Sequence, residues 1–195
     1  MFSGGIFMSK TKKLTVMAML TAISVVLVYL VHFWIFPSAT FLEYDPADIP
    51  ILIGAFAYGP LAGLLLTVAA SAIQALTVSA KSGVYGFIMH VTATGVLTLV
   101  ASGIYSKKHT KSGAVIGLIC GTVAMGAVMM AANHFITPIF MGAPTEAVDA
   151  MLLPVILPFN LIKAGVNSLV TFLIYKVVST RFIKNERAVK KNGDE

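Results

Sequence analysis

Charged side chains are scarce in this chain of 195 residues, of which Asp, Glu, Lys and Arg together make up only 11%. Soluble domains normally carry about a quarter of such residues. Hydrophobic residues make up 57% of the chain. They fall in runs longer than the about 20 residues that cross a bilayer. The composition therefore excludes a soluble fold and indicates a protein that crosses the membrane several times.

Motifs of catalysis and metal binding are also lacking. The single cysteine, Cys120, lies inside an apolar run and excludes a disulfide framework or a thiolate metal site. There is no Gly-x-x-x-x-Gly-Lys-Ser/Thr loop for ATP, no His-Glu-x-x-His motif and no Gly-x-Ser-x-Gly motif. The net charge of +6 comes from bases at the ends of apolar runs, which is typical of membrane orientation signals. We therefore expect no enzyme activity, no metal, no cofactor and no nucleic-acid partner.

The apolar stretches between charged residues predict the number of spans. They cover residues 14–42, 49–80, 82–106, 112–145 and 150–175. Each must be helical, because lipid cannot satisfy the backbone groups of an open strand. If the second stretch turns back at Gly59-Pro60 there are six spans, with twelve bases on one side of the membrane and only Lys81 on the other. Without that turn the bases divide nine to four, so the positive-inside rule favours six spans.

The predicted fold is an all-α integral membrane protein of the cell membrane, with six transmembrane helices and both termini cytoplasmic. We expect one membrane domain over residues 1–195: a basic cytoplasmic N-terminus (1–13), a six-helix transmembrane domain (14–183) and a cytoplasmic tail (184–195). The short second helix, about Pro50–Tyr58, covers only about 13 Å. Because a helix this short is tolerated beside a cavity, we expect a cavity on the outer side of the membrane.

Acidic residues are predicted to lie in the two larger external loops, at Glu43, Asp45, Asp48, Glu146 and Asp149. Asp48 precedes the Pro in the first turn of the short helix, so we expect it to cap that helix. The predicted spans themselves contain no Asp or Glu, which argues against a proton-coupled carrier.

Lys163 is the one basic residue inside a predicted span. An ammonium near the bilayer centre costs roughly 2.5–3.5 kcal/mol and usually faces a cavity or a partner. The alternative is that Lys163 extends to the outer membrane interface. Asn160 and Asn167 lie three residues before and four after it, so the three share one helix face.

Asn133 and His134 form a polar pair in the fifth span. Taken alone, Asn133 suits a hydrogen bond between helices, and His134 suits a structural or interfacial role. Asn133, Asn160 and Lys163 all map to the outer halves of their spans. We therefore expect these three to converge on one external pocket.

Small residues recur every fourth position in two helices, at Ala18 and Ala22 and at Gly113, Gly117 and Gly121. This spacing lets another helix approach closely. From the pattern alone, packing within the molecule is the default interpretation of both sets.

The chain resembles the riboflavin-specific substrate-binding (S) components of energy-coupling-factor (ECF) vitamin transporters. The similarity runs from about Lys12 to Lys184. It is most specific in Leu-Glu-Tyr-Asp-Pro-Ala-Asp-Ile-Pro at 42–50, and continues in Asn133-His134-Phe135 and in Pro158-Phe-Asn-Leu-Ile-Lys163. Ala18-x-x-x-Ala22 matches a motif that S components share.

The resemblance implies a six-helix protein that captures riboflavin from outside the cell as cargo. It implies docking on a membrane coupling subunit that carries two ATPase subunits, with Ala18 and Ala22 facing that subunit. The family's ligand-binding positions correspond to Asn133, Asn160 and Lys163, with Leu42 in the loop that closes over the site.

Three alternatives differ in class or substrate. An S component for another vitamin would share the fold but would need other polar residues in the pocket. An autonomous secondary carrier would need no ATPase partner, but it should contain an intramembrane carboxylate or an internal repeat. An integral membrane enzyme would need a nucleophile–base pair or a metal site, and the sequence contains neither pattern.

Overall fold

The computed structural model describes the backbone of residues 10–192 and the side chains of residues 10–175. Residues 1–9 of the predicted N-terminal segment 1–13 lie outside the described residues. So do residues 193–195 of the predicted tail 184–195, together with the side chains of the rest of that tail.

Within residues 10–192 the chain is almost entirely helical. It forms α1 (Lys10–Leu30), α2 (Asp48–Tyr58), α3 (Pro60–Leu76), α4 (Gly83–Lys107), α5 (Lys111–Met141), α6 (Thr145–Met151) and α7 (Leu157–Asn192). A π-helical turn, Leu152–Ile156, joins α6 to α7. Two short antiparallel strands, β1 (Phe33–Trp34) and β2 (Glu43–Tyr44), order the loop after α1, with Phe33 opposite Tyr44.

Four helical segments of the described chain are long and apolar enough to cross a membrane: Lys10–Leu30, Gly83–Lys107, Lys111–Met141 and Thr145–Tyr175. Two shorter apolar helices, Asp48–Tyr58 and Pro60–Leu76, lie beside them. The predicted class, an all-α membrane protein, is confirmed.

The predicted break at Gly59-Pro60 is also confirmed. Gly59 has a φ of 93°, a conformation that favours glycine, and Pro60 opens α3, where its fixed φ suits the first helical turn. The short second helix begins at Asp48, two residues before the predicted Pro50, and ends at Tyr58 as predicted.

Glycines bring α4 and α5 together. A Cβ added at Gly117 would lie 2.5 Å from the Ala101 carbonyl oxygen, and one added at Gly121 would lie 2.8 Å from that of Leu97. Neither distance is possible for a real side chain. The prediction that this small-residue repeat packs within the molecule is therefore confirmed for Gly117 and Gly121.

One end of the bundle holds a cavity and the other holds the lysine clusters. The C-terminal halves of α3 and α5 and the N-terminal halves of α4 and α7 line the cavity, together with residues 41–45 of the loop after α1. At the far end the Lys13 ammonium lies 5.6 Å from the ring centroid of Tyr58, the last residue of α2. The helix directions also put Lys107, at the end of α4, and Lys111, at the start of α5, at that far end.

Candidate functional site

The cavity brings together all four residues that the sequence predicts as ligand contacts. Leu42 comes from the loop, Asn133 from α5, and Asn160 and Lys163 from α7. These residues are distant in sequence. The packing of α5 on α7 makes Asn133, Asn160 and Lys163 neighbours, and the loop adds Leu42. Their polar groups share the cavity with apolar side chains, including Met89, Met125, Met129, Phe140 and Phe159.

Lys163 is buried against a carboxylate. Its side chain is 9% exposed, and Nζ donates to Oδ2 of Asp45, itself 11% exposed, over 2.6 Å. The alternative that Lys163 extends to the membrane interface is therefore wrong. The reason is that the loop carries Asp45 down to the helix face of Lys163, where the carboxylate compensates the buried ammonium.

The ionisation of Asp45 follows from its surroundings. Burial on its own would raise the pKa of this carboxyl, but the Lys163 ammonium and the backbone N–H of Ala47, 3.0 Å from Oδ1, outweigh it and hold the pKa below its usual value. Asp45 is thus an anion at neutral pH, and the pair carries no net charge.

Asp48 does not cap the short helix, so that prediction is wrong. The helix already begins at Asp48, and its side chain is fully buried. Oδ1 accepts a hydrogen bond from Thr94 Oγ1 at 2.6 Å, and Oδ2 accepts one from Asn167 Nδ2 at 2.8 Å. Two interior donors thus satisfy the carboxylate in place of the helix's own N–H groups.

Asp45 lies in the loop after α1, as predicted, whereas Asp48 lies in α2 and not in the loop. Both side chains are buried, 7% and 0% exposed respectively. The sequence argument against a proton-coupled carrier assumed that the protein interior contains no Asp or Glu, and that assumption fails. The Asp45 carboxylate is bonded by the Lys163 ammonium, whereas the Asp48 carboxylate is bonded by two neutral donors.

Asn167 on α7 forms hydrogen bonds to the end of the loop after α1 and to the start of α2. Its Nδ2 donates to the Asp45 carbonyl oxygen at 3.0 Å as well as to Asp48, and its Oδ1 accepts from the Tyr44 hydroxyl at 2.9 Å. The predicted face of α7 therefore has two parts. Asn160 and Lys163 line the cavity, whereas Asn167 holds residues 44–48 in position.

Asn133 and Asn160 are oriented by their own helices. Asn133 donates to the Met129 carbonyl oxygen at 2.7 Å and accepts from Thr137 Oγ1 at 2.8 Å. Asn160 Nδ2 donates to the Ile156 carbonyl oxygen at 2.8 Å. The alternative that Asn133 bonds to another helix is wrong, because its partners lie one turn away on α5. Within the described residues the carbonyl oxygen of Asn160 accepts no hydrogen bond, so it is available to a ligand.

His134 lies outside the cavity lining. Its Nδ1 is 2.6 Å from Asp149 Oδ1, with both side chains more than a third exposed. The contact joins α5 to α6. This contact supports the structural role of His134, whereas the interfacial role stays a prediction.

Comparison with known proteins assigns the family. The family model described as "ECF transporter, substrate-specific component" matches residues 12–175. The chain belongs to this family. It is therefore a transport protein of the membrane and not an enzyme.

Individual relatives agree with the family assignment. The chain is 32% identical over 174 residues to "Riboflavin transporter FmnP" of Bacillus subtilis (strain 168), covering 85% of this chain and 91% of the relative. It is 29% identical over 175 residues to "Riboflavin transporter RibU" of Staphylococcus aureus (strain TCH60), covering 87% and 91%. A solved structure described as "Structure and mechanism of the S component of a bacterial ECF transporter" superimposes with a TM-score of 0.80 at 28% identity, over 89% of this chain and 99% of the other.

In this S component, Ala18 and Ala22 lie on the exposed side of α1, whereas Thr21, Ser24 and Val28 face the bundle. The default interpretation that the two alanines pack within the molecule is therefore wrong. α1 contacts α2 and α3 through its other face, so the alanine face is available to another protein.

Several cavity and network residues of the S component are missed by the sequence analysis. Asp45 is the ion-pair partner of Lys163, and Thr94 holds Asp48. Gln74 and His90 line the cavity from α3 and α4. The only sequence signal for the last two is that each is a large polar residue in a mostly apolar stretch, which is typical of a residue that faces a cavity.

Proposed function

We propose that this S component binds riboflavin from outside the cell and delivers it through an ATP-driven ECF transporter. The observation that carries the proposal is the cavity under the loop, where Leu42, Asn133, Asn160 and Lys163 come together. The names of the relatives from B. subtilis and S. aureus support riboflavin as the cargo.

The chemistry of the cavity fits a neutral flavin. Riboflavin joins a flat apolar ring to an edge with carbonyl and N–H groups and to a polyhydroxyl chain, and it carries no charge. An apolar slot with a few fixed polar groups suits such a ligand. Asn160 offers a carbonyl oxygen to a ring N–H, while Met and Phe side chains contact the ring faces.

The Asp45–Lys163 pair explains how a buried ammonium can serve an uncharged ligand. An ammonium has three donors, and Lys163 uses one on Asp45. The remaining donors are free for the carbonyl oxygens of the ring edge. Because Asp45 already compensates the charge, the ligand needs no carboxylate or phosphate of its own.

We further propose six spans, with both termini cytoplasmic and the cavity open to the outside. The two short helices α2 and α3 supply the spans beyond the four long segments. Among the described side chains, six lysines lie at the end away from the cavity: Lys10, Lys12, Lys13, Lys107, Lys108 and Lys111. The positive-inside rule assigns that end to the cytoplasm.

For the partners, we propose that the Ala18–Ala22 face of α1 docks on the ECF membrane coupling subunit, and through it on two ATPase subunits. Two exposed alanines one turn apart let another helix approach closely. Their position on an outward face supports a partner rather than the molecule's own core.

Two experiments test cargo and coupling separately. The chain purified alone in detergent should quench riboflavin fluorescence at close to one ligand per protein, and should not bind thiamine or niacin. Binding of another vitamin in place of riboflavin would support the alternative S component. In cells that lack the ATPase subunits, the chain should not drive riboflavin uptake. Uptake without them would support the autonomous carrier instead.

A further inference from the structure

Two residues that line the cavity each have a buried nitrogen atom without a hydrogen-bond partner. Among the described side chains, the buried polar atoms without a partner are Nε2 of Gln74, Nε2 of His90 and the hydroxyls of Thr98 and Thr171. The first two belong to residues that line the cavity, whereas the two threonines do not line it. Buried polar groups are nearly always bonded, so an exception beside a cavity points to a missing partner.

The ring of His90 has a defined tautomer. Its Nδ1 is 2.7 Å from Ser71 Oγ, and the same Ser71 hydroxyl donates to the Thr67 carbonyl oxygen at 2.6 Å. A serine hydroxyl has one hydrogen. Because Thr67 takes it, Ser71 must accept from His90, and the proton lies on Nδ1. Nε2 of the neutral ring is then an acceptor.

Gln74 lines the same cavity and lies on α3, the helix that carries the Ser71 partner of this ring. It follows Ser71 by three residues on α3, so the two side chains share one helix face. Gln74 is 4% exposed, and its unpartnered atom is an amide nitrogen, which is a donor. The cavity-lining residues of α3 and α4 thus include one unpartnered donor and one unpartnered acceptor.

We propose that Gln74 and His90 bind a hydroxyl of the ligand's polyhydroxyl chain. A hydroxyl both accepts and donates, so it matches the Gln74 donor and the His90 acceptor together. The ring edge also carries a carbonyl beside an N–H, but in the proposed binding mode Asn160 and Lys163 already bind that edge, which leaves the hydroxyl chain for Gln74 and His90. This inference rests on the proposed function. It assigns the ring edge to Asn160 and Lys163 on α7. The hydroxyl chain is assigned to the part of the cavity lining that α3 and α4 supply.

The test compares two ligands on the same variants. Lumiflavin has the riboflavin ring system with a methyl group in place of the hydroxyl chain. Gln74→Leu and His90→Phe should each lower the affinity for riboflavin about tenfold, because the hydroxyl loses a partner. Their affinity for lumiflavin should change by less than about twofold. Fluorescence quenching of each flavin measures both, and the lumiflavin result also shows that the variant is folded.

Matched variants sharpen the result. Thr98→Val removes another unpartnered buried group outside the cavity and should leave the riboflavin-to-lumiflavin affinity ratio unchanged. Ser71→Ala removes the acceptor that fixes His90, and should lower riboflavin affinity alone. The assignment would be overturned if Gln74→Leu, His90→Phe and Ser71→Ala each lowered the affinity for both flavins equally. It would also be overturned if the three variants left the affinity for riboflavin unchanged. Failure of the unsubstituted chain to bind either flavin would instead overturn the proposed function.

Discussion

Separating the two roles of Lys163 is the sharpest test of the site. Lys163 stabilises the fold through Asp45, and in our proposal it also donates to riboflavin. The two side chains are 9% and 11% exposed and lie 2.6 Å apart. Removing one partner of a buried pair leaves an uncompensated charge, which costs about 3–5 kcal/mol. Because a cavity adjoins this pair and water can reach it, we expect the lower end, about 3 kcal/mol, for Asp45→Asn and for Lys163→Met.

The double variant, Asp45→Asn with Lys163→Met, removes both charges together. It should recover most of the loss, since two neutral side chains leave no buried charge, and should unfold within about 1 kcal/mol of the unsubstituted chain. Thermal unfolding in detergent measures this coupling. If the losses of the two single variants simply add in the double variant, the pair does not act as described.

Riboflavin binding should follow a different order among the same variants. Asp45→Asn keeps the ammonium and should still bind when measured well below its unfolding temperature. Lys163→Met and the double variant should both lose about 1–3 kcal/mol of binding free energy, because a ring carbonyl is left unpaired. Recovery of stability without recovery of binding is the expected signature. A double variant that regains full affinity would refute the ligand role of Lys163.

Further substitutions test other parts of the account. Asn160→Ala should weaken riboflavin binding by about 1–3 kcal/mol in a fluorescence titration, whereas the control His134→Ala, outside the cavity, should not; equal effects would contradict the site. Ala18→Trp should abolish uptake in cells yet leave binding by the purified chain intact, and loss of binding would mean that α1 packs internally there. Thr94→Val should lower stability to thermal unfolding by about 1–3 kcal/mol, because the buried Asp48 carboxylate loses a donor, and an unchanged unfolding temperature would contradict that contact.

Features that depend on local sequence or on charge counting were predictable. Gly59-Pro60 ends one helix and starts the next because of backbone restrictions that act within two residues. The shared face of Asn160 and Lys163 follows from helical spacing alone. The convergence of Asn133 on the same cavity follows from the alternating direction of successive spans.

Features that depend on distant partners were not predictable. Asp48 precedes a helix and so has the local pattern of a cap, but its donors come from Thr94, 46 residues away, and Asn167, 119 residues away. Asp45 finds Lys163 across 118 residues. No local sequence pattern predicts such pairs, because they form only when residues 44–48 pack against α4 and α7 in the folded bundle. The tautomer of His90 likewise depends on a Ser71–Thr67 bond that only the folded α3 supplies.

The central claim is that this chain alone holds riboflavin in the cavity beneath its loop. The most direct measurement is the visible absorption spectrum of the chain, expressed without ECF partners and purified in detergent. The account predicts a yellow protein with flavin bands at close to one flavin per chain. A colourless protein that also fails to quench the fluorescence of added riboflavin would contradict it.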